Sequence, residues 1–146
     1  EQLVKVSNNQ DALESVREEI DQYEALTGRI DISGPGVHVE LSGDIQAIWL
    51  TDTVNELLAA GAEAVSVNSI RLTNRTTGFD TIPSGQIMLN DVILNEPYTI
   101  EAIGEKDILE DALIQSEGII ERLQRLVNGV EVVLEQRDVV TMEKVL

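Results

Sequence analysis

The chain has no cysteine. That excludes disulfides, thiolate zinc sites and a cysteine nucleophile, and leaves the compartment open. Aromatic residues are nearly as scarce. Tyr23, Trp49, Phe79 and Tyr98 are the only four, so a core has to be built from Leu, Ile, Val and Ala. Basic residues number 10 against 27 acidic ones, a formal charge of −17. A potential of that sign repels phosphate backbones and anionic headgroups, which argues against nucleic acid and against peripheral docking on a membrane. No run of about 18 apolar residues occurs, so no segment reads as a membrane-spanning helix.

What is present suffices for one domain. The 146 residues, 42% of them hydrophobic, support a core with length left for an appended element. The chain begins at Glu1 instead of Met, and we expect a fragment or a processed product, which leaves room for a signal or anchor before it.

Residues 1–29 read as a separate amphipathic helix. Leu13, Val16, Ile20 and Tyr23 recur at steps of three, four and three, with Val6 seven residues before Leu13. That is the a/d rhythm of a coiled-coil seam, flanked by charges, with Asn9 at one seam position. Two readings stay open: a helix lying against its own domain, or one that self-associates. Thr27-Gly28 ends it.

Residues 30–146 read as a globular α+β domain. Ser33-Gly34-Pro35-Gly36 is expected as a turn before a half-buried strand, with Val37, Val39 and Leu41 facing inward. A helix over Gln46–Ala60 places Ala47, Leu50, Val54, Leu57 and Leu58 on one face, with Ser42-Gly43-Asp44 before it as turn and N-cap. Gly61 suits its left-handed C′ stop. Ala64 to Ile70 follows as a strand and Phe79–Pro83 as an extended piece. Gln86–Leu89 and Val92–Leu94 form a hairpin across Asn90-Asp91. Tyr98–Ile103 is another strand, 107–115 and 118–127 are two short helices or one helix broken at Glu117-Gly118, Val130–Leu134 is a last clear strand, and Asp138–Leu146 is a weaker extended tail. The pattern predicts a single mixed β-sheet with helices on one face, ferredoxin-like in general plan.

Candidate chemistry is thin. His38 is the one histidine, placed outward beside Glu40 with no recognisable serine or metal-ligand partner. Gly34-Pro35-Gly36 lacks the Lys-Ser/Thr of a phosphate loop and precedes a strand, so a plain turn is the better reading. Glu105, Asp107, Glu110 and Asp111 do not match a calcium loop and suit a solvated helix start. Asn74-Arg75-Thr76 fits a glycosylation sequon, a triplet common by chance. The best constellation is Asn55, Glu56, Asn68 and Arg71. Glu56 and Arg71 are expected to approach one another, and Asn68 to share a strand face with Ala64 and Ser66. These residues either tie helix to strand or form a small polar pocket in which Arg71 meets an anion. No catalytic set, metal or cofactor is expected.

Residues 50–57, the run from Ala60 to Asn68 and Arg71, with Gly34-Pro35-Gly36-Val37, Pro97-Tyr98-Thr99-Ile100 and Ala102-Ile103-Gly104 in the same order, resemble the bacterial family known as domain of unknown function 881. The likeness extends from about Ile30 to Val140. The resemblance implies an upstream membrane-spanning helix, then a coiled coil, then this domain outside the cytoplasm, in Gram-positive proteins labelled for division initiation. It carries no catalytic residues. The expected function is therefore a non-enzymatic extracytoplasmic interaction or scaffold domain linked to cell division or envelope assembly. Its expected partners are proteins: a second copy through Leu13, Val16, Ile20 and Tyr23, and division or envelope proteins. The rival is a small-ligand or anion sensor using Arg71; a hydrolase would need a carboxylate pair that no spacing supplies.

Overall fold

The computed structural model describes residues 13–20, 27–73 and 78–145. Residues 13–20 are helical (α1). The domain that follows runs β1 (Ile32–Ser42), α2 (Ala47–Ala59), β2 (Ala64–Val67), β3 (Ile70–Arg71), β4 (Phe79–Thr81), β5 (Ile87–Leu89), β6 (Val92–Leu94), β7 (Tyr98–Ile103), α3 (Lys106–Ile114), α4 (Ile119–Leu126) and β8 (Glu131–Met142).

Five strands form one sheet in the order β3-β2-β7-β1-β8. Every neighbouring pair in it is antiparallel. β1 and β2 nevertheless run in the same direction, because β7 lies between them; β7 and β8 likewise flank β1. Two interleaved β-α-β units with a strand of the other between their own is the ferredoxin-like plan. The segment between β2 and β7 adds the edge strand β3 and a separate three-stranded sheet, β4-β5-β6.

Alternation assigns the two faces of the main sheet. Val37, Val39 and Leu41 of β1, Val65 and Val67 of β2, and Ile100 and Ala102 of β7 point to one side. There they join Leu50, Val54 and Leu57 of α2, Leu109 and Leu113 of α3, and Ile119 and Leu123 of α4 in the main core. Ile87, Leu89 and Leu94 of the small sheet belong to the same cluster. All the core helices thus cover one face, and each fully buried Leu or Ile there stabilises the fold by about 1.5–3 kcal/mol. The other face carries a smaller cluster, Ala64, Ile103, Val140 and Met142 with Ile32 against it.

Local departures from the sequence reading have identifiable causes. Gly34-Pro35-Gly36 is no turn: β1 runs straight through it, with a bulge against β8 between Gly34 and Gly36. Pro35, which has no N–H to donate, sits in that irregularity, where a sheet tolerates proline. The strand expected over Ala64 to Ile70 is a hairpin instead. Asn68 and Ser69 both have positive φ, 49° and 68°, the requirement of a tight two-residue connection. Asn90-Asp91 makes the same turn at 49° and 65°, as expected. In α2 the residue before the helix is Gln46, and no side chain caps it, so Asp44 does not. Leu58 faces outward and Thr53 takes the buried position; its hydroxyl donates to the Trp49 carbonyl at 2.8 Å, so burial leaves it satisfied. The last strand and the extended tail are one twelve-residue strand, β8.

Asn68 does more than turn the chain. Its Oδ1 accepts from the Thr99 N–H at 2.7 Å and its Nδ2 donates to the Asn95 carbonyl at 3.1 Å, fastening the hairpin to β7. Asn68→Ala removes both bonds and puts a less tolerant residue at positive φ. A loss of about 1–2 kcal/mol is expected in urea unfolding, and Asn68→Gly should recover only the backbone part.

Candidate functional site

The chain enters and leaves the domain at one corner of the sheet, behind the face that carries the helices. Arg71 on edge strand β3 is opposite Ser66 of β2. Ser66 lies between Val65 and Val67, so it and Arg71 project away from the main core. Arg71 is 5% exposed. Its Nη1 donates to the carbonyls of Ile30 and, at 3.2 Å, Glu143. Ile30 belongs to the segment leading into β1 and Glu143 to the segment leaving β8, so one guanidinium holds both. The two segments are also joined directly. The Lys144 N–H donates to Asp31 Oδ1 at 2.7 Å and the Val145 N–H to the Gly28 carbonyl at 2.6 Å. Burial lowers the Arg71 pKa and the charge of Asp31 raises it; a guanidinium stays charged through both.

Across the sheet from Ser66, in register, is Glu101 of β7, and across from Glu101 is His38 of β1. His38 is not the solitary surface histidine expected. Its side chain is only 13% exposed, its Nδ1 lies 3.1 Å from Glu101 Oε2 and its Nε2 3.6 Å from Glu40 Oε1. A row of arginine, serine, glutamate and histidine therefore crosses four adjacent strands. A cavity of about 650 Å³ opens over its Arg71 end, walled by Ser66, Arg71 and Glu101 and by Thr141, Met142 and Lys144 near the end of the chain.

The constellation of Asn55, Glu56, Asn68 and Arg71 is not brought together. Asn55 is exposed on α2 and Glu56 half-buried on the same helix, whereas α2 covers the core face and Arg71 projects from the opposite one. Asn68 sits in the β2–β3 turn, off the strand face that Ala64 and Ser66 share. Ser66 and Arg71 do meet at the cavity. Asp31, Glu143 and Glu101 were missed. The His38–Glu101 contact follows from the β1–β7 register, and strands separated by about sixty residues of sequence give no local signal of it.

The N-terminal seam offers a second surface. Leu13, Val16 and Ile20 are 60%, 49% and 49% exposed on α1; they do not pack into the domain's core clusters. Tyr23, the fourth seam position, lies outside the described residues, as does Asn74-Arg75-Thr76. Among the described residues no helix is long and apolar enough to cross a membrane and no group of three or more His, Asp or Glu side chains is placed to hold a metal ion.

The family model described as bacterial protein of unknown function (DUF881) matches residues 19–145. The chain belongs to the DUF881 family. This match reaches further at both ends than the Ile30–Val140 likeness, taking in the Gly28–Asp31 and Glu143–Val145 segments that the Arg71 corner joins. A UPF0749 protein of Mycobacterium tuberculosis is 31% identical over 90% of this chain and 46% of its own length. The UPF0749 protein YlxW of Bacillus subtilis is 28% identical over 90% of this chain and 61% of its own. The DUF881 chain thus spans about half the length of these relatives. The crystal structure of an uncharacterized conserved protein from Mycobacterium tuberculosis matches with a TM-score of 0.75 and 28% identity, covering 87% of this chain and 91% of that one.

Proposed function

We propose that this domain works by contact and not by bond-making: a non-enzymatic interaction module in which helix α1 pairs with a second copy. The observation that carries it is the stripe of Leu13, Val16 and Ile20, each about half exposed or more on one side of α1. Apolar side chains at a/d spacing left in water gain by burial against a like stripe, about 25 cal/mol per Å² removed from solvent. The Arg71 corner is consistent with the same reading, because it holds residues 28–31, which follow α1 in the chain, to the body of the domain.

On this proposal an upstream membrane anchor holds the domain outside the cytoplasm, and its further partners belong to division or envelope assembly. The support for that part is the family resemblance. Reporter fusions to the full-length protein test the topology, and a fluorescent fusion that does not gather at division sites or the growing envelope counts against the assignment.

Association is the direct test. In sedimentation equilibrium the chain is expected to dimerise, and Val16→Asp with Ile20→Asp to weaken the dimer by about a hundredfold, since two charges enter a shared apolar seam. The circular dichroism and urea midpoint of the folded domain should be unchanged, because neither side chain contributes to its core. A strict monomer at high micromolar concentration rejects the proposal.

A further inference from the structure

β8 is the longest described strand and stands at one edge of the main sheet, beside β1 alone. Its outer row of backbone N–H and C=O groups faces no other strand among the described residues. Such a row is a template for a further strand. The bulge opposite Gly34 and Gly36 breaks the regular edge beyond Arg137, so the usable stretch runs from Glu131 to Arg137. Register with β1 assigns its two faces. Val132, Leu134 and Gln136 lie on the helix side, opposite Leu41, Val39 and Val37. Glu131, Val133, Glu135 and Arg137 lie on the other, opposite Ser42, Glu40, His38 and Gly36. Val132 and Leu134 are only half-buried against the core, and Val133 is exposed. Arg137 Nη2 is 3.2 Å from Glu135 Oε2, both side chains largely exposed. An ion pair in that setting contributes little, so the guanidinium changes partner at small cost.

We infer that the β8 edge pairs antiparallel with the same edge of a second copy, about a two-fold axis at Leu134. This surface is distinct from α1 and its pairing does not depend on it. Charge decides both the partner and the register. With the axis at Leu134, Glu131 faces the partner's Arg137 and Arg137 the partner's Glu131. Leu134 meets the partner's Leu134, and Val133 the partner's Glu135. Residues directly opposite in such a pair share a face with Cβ atoms about 4.5–5.5 Å apart, so opposite charges meet at both ends. An axis at Val133 sets Glu131 against the partner's Glu135, and one at Glu135 sets that residue against itself. Like charges so placed are destabilising. The cavity beside Glu131, of about 420 Å³, is walled by Glu40, Glu96 and Glu131 with Val133 and Pro97, and the partner's Arg137 is brought to that acidic end. Each copy carries a formal charge of −17, which opposes pairing at long range. At about 0.15 M salt that repulsion is screened beyond about 8 Å, whereas the Glu–Arg contacts lie inside it. Seven edge residues bury less than the roughly 1,200 Å² of stable interfaces, so the contact is weak and reversible.

The test is sedimentation equilibrium at about 0.15 M salt, on the whole chain carrying Val16→Asp and Ile20→Asp so that the α1 seam is disabled. This parent is expected to dimerise weakly, half of it paired below about 1 mM. Glu131→Arg and Arg137→Glu, added one at a time, each oppose like charges at both ends and should weaken pairing by at least about tenfold. Glu131→Arg is the sharper of the two, because it makes the chain less acidic and net charge alone would then strengthen association. An equimolar mixture of the two variants sets arginine opposite glutamate at both ends, so mixed dimers should form about as tightly as the parent's. Both substitutions in one chain should restore self-pairing likewise. Glu131 and Arg137 are exposed, so circular dichroism of every variant should match the parent. A parent that stays monomeric to about 1 mM overturns the inference and leaves the edge to a strand of another protein. Single variants that pair as well as the parent, or a mixture that pairs no better than its components, overturn it too. Because the seam is disabled throughout, failure here leaves the α1 proposal intact, and the reverse.

Discussion

Gly36→Ala is expected to remove a large share of the domain's stability. Gly36 lies on β1 inside the main sheet, between β7 and β8, opposite Ile103 and Arg137. A Cβ built on it meets the Ala102 carbonyl oxygen at 1.8 Å and the Ala102 carbonyl carbon at 2.9 Å. Both are backbone atoms of the neighbouring strand, so no rotamer change relieves the clash; β1 and β7 have to separate. Between them these strands carry Val37, Val39, Leu41, Ile100 and Ala102 of the main core. Parting them costs packing and ladder hydrogen bonds together, about 4 kcal/mol or more, at the upper end of single-residue effects. A domain of this size has roughly 5–15 kcal/mol in all. Urea unfolding followed by circular dichroism measures it. A Gly36→Ala protein within about 1 kcal/mol of the wild type would show that the β1–β7 approach is looser than described. The glycine is needed for space and not for a turn, since its φ lies outside the left-handed region.

Arg71→Ala is the second large effect, and its signature is spatial. The substitution removes a buried charged donor from the carbonyls of Ile30 and Glu143. Hydrogen bonds to a charged donor contribute about 1.5–3 kcal/mol each, and buried carbonyls left without a partner add to the loss. We expect a global destabilisation of about 2–4 kcal/mol, less than the sum of the parts because water enters the opened corner. Amide hydrogen exchange should rise most at residues 28–31 and 143–145, which lose their common tie, and least in β1 and β7. Arg71→Lys keeps the charge but presents one compact ammonium where a planar fork was, so it should recover about half. Uniform acceleration across the domain, with no excess in those two segments, would show that Arg71 stabilises the sheet at large and does not clamp its termini.

Much of the architecture was legible from residue order. Gly61 stops α2 with φ of 96°, Asn90-Asp91 turns its hairpin, and the alternation in Val37–Leu41 and Tyr98–Ile103 marks strands whose inward residues are buried. These are local effects, decided within a few residues by sterics and hydrogen bonding. Gly34-Pro35-Gly36 misled because the same residues that favour a turn also permit a close strand approach and a bulge. Nothing nearby distinguishes the two; Ala102 does, from the other side of the sheet. Asn68-Ser69 passed as strand because the residues on either side of the pair are β-formers, although Asn at positive φ is itself a turn signal. Of the candidate residues, Arg71 was found from its type and place in the chain, but its partners were not. Glu56, near in sequence, lies across the sheet from it, whereas Ile30 and Glu143 are 41 and 72 residues away.

Composition and periodicity by themselves determined an acidic α+β domain with an aliphatic core and a helical stripe ahead of it. They did so because helix and strand periods, turn chemistry and net charge are properties of short windows or of the whole count. Strand order, the fusion of the last two segments into β8, and the meeting of Arg71, Ser66, Glu101 and His38 were decided only in three dimensions. Pairing and register are settled by the joint burial of apolar faces from distant segments, and that contest has no local trace in the chain.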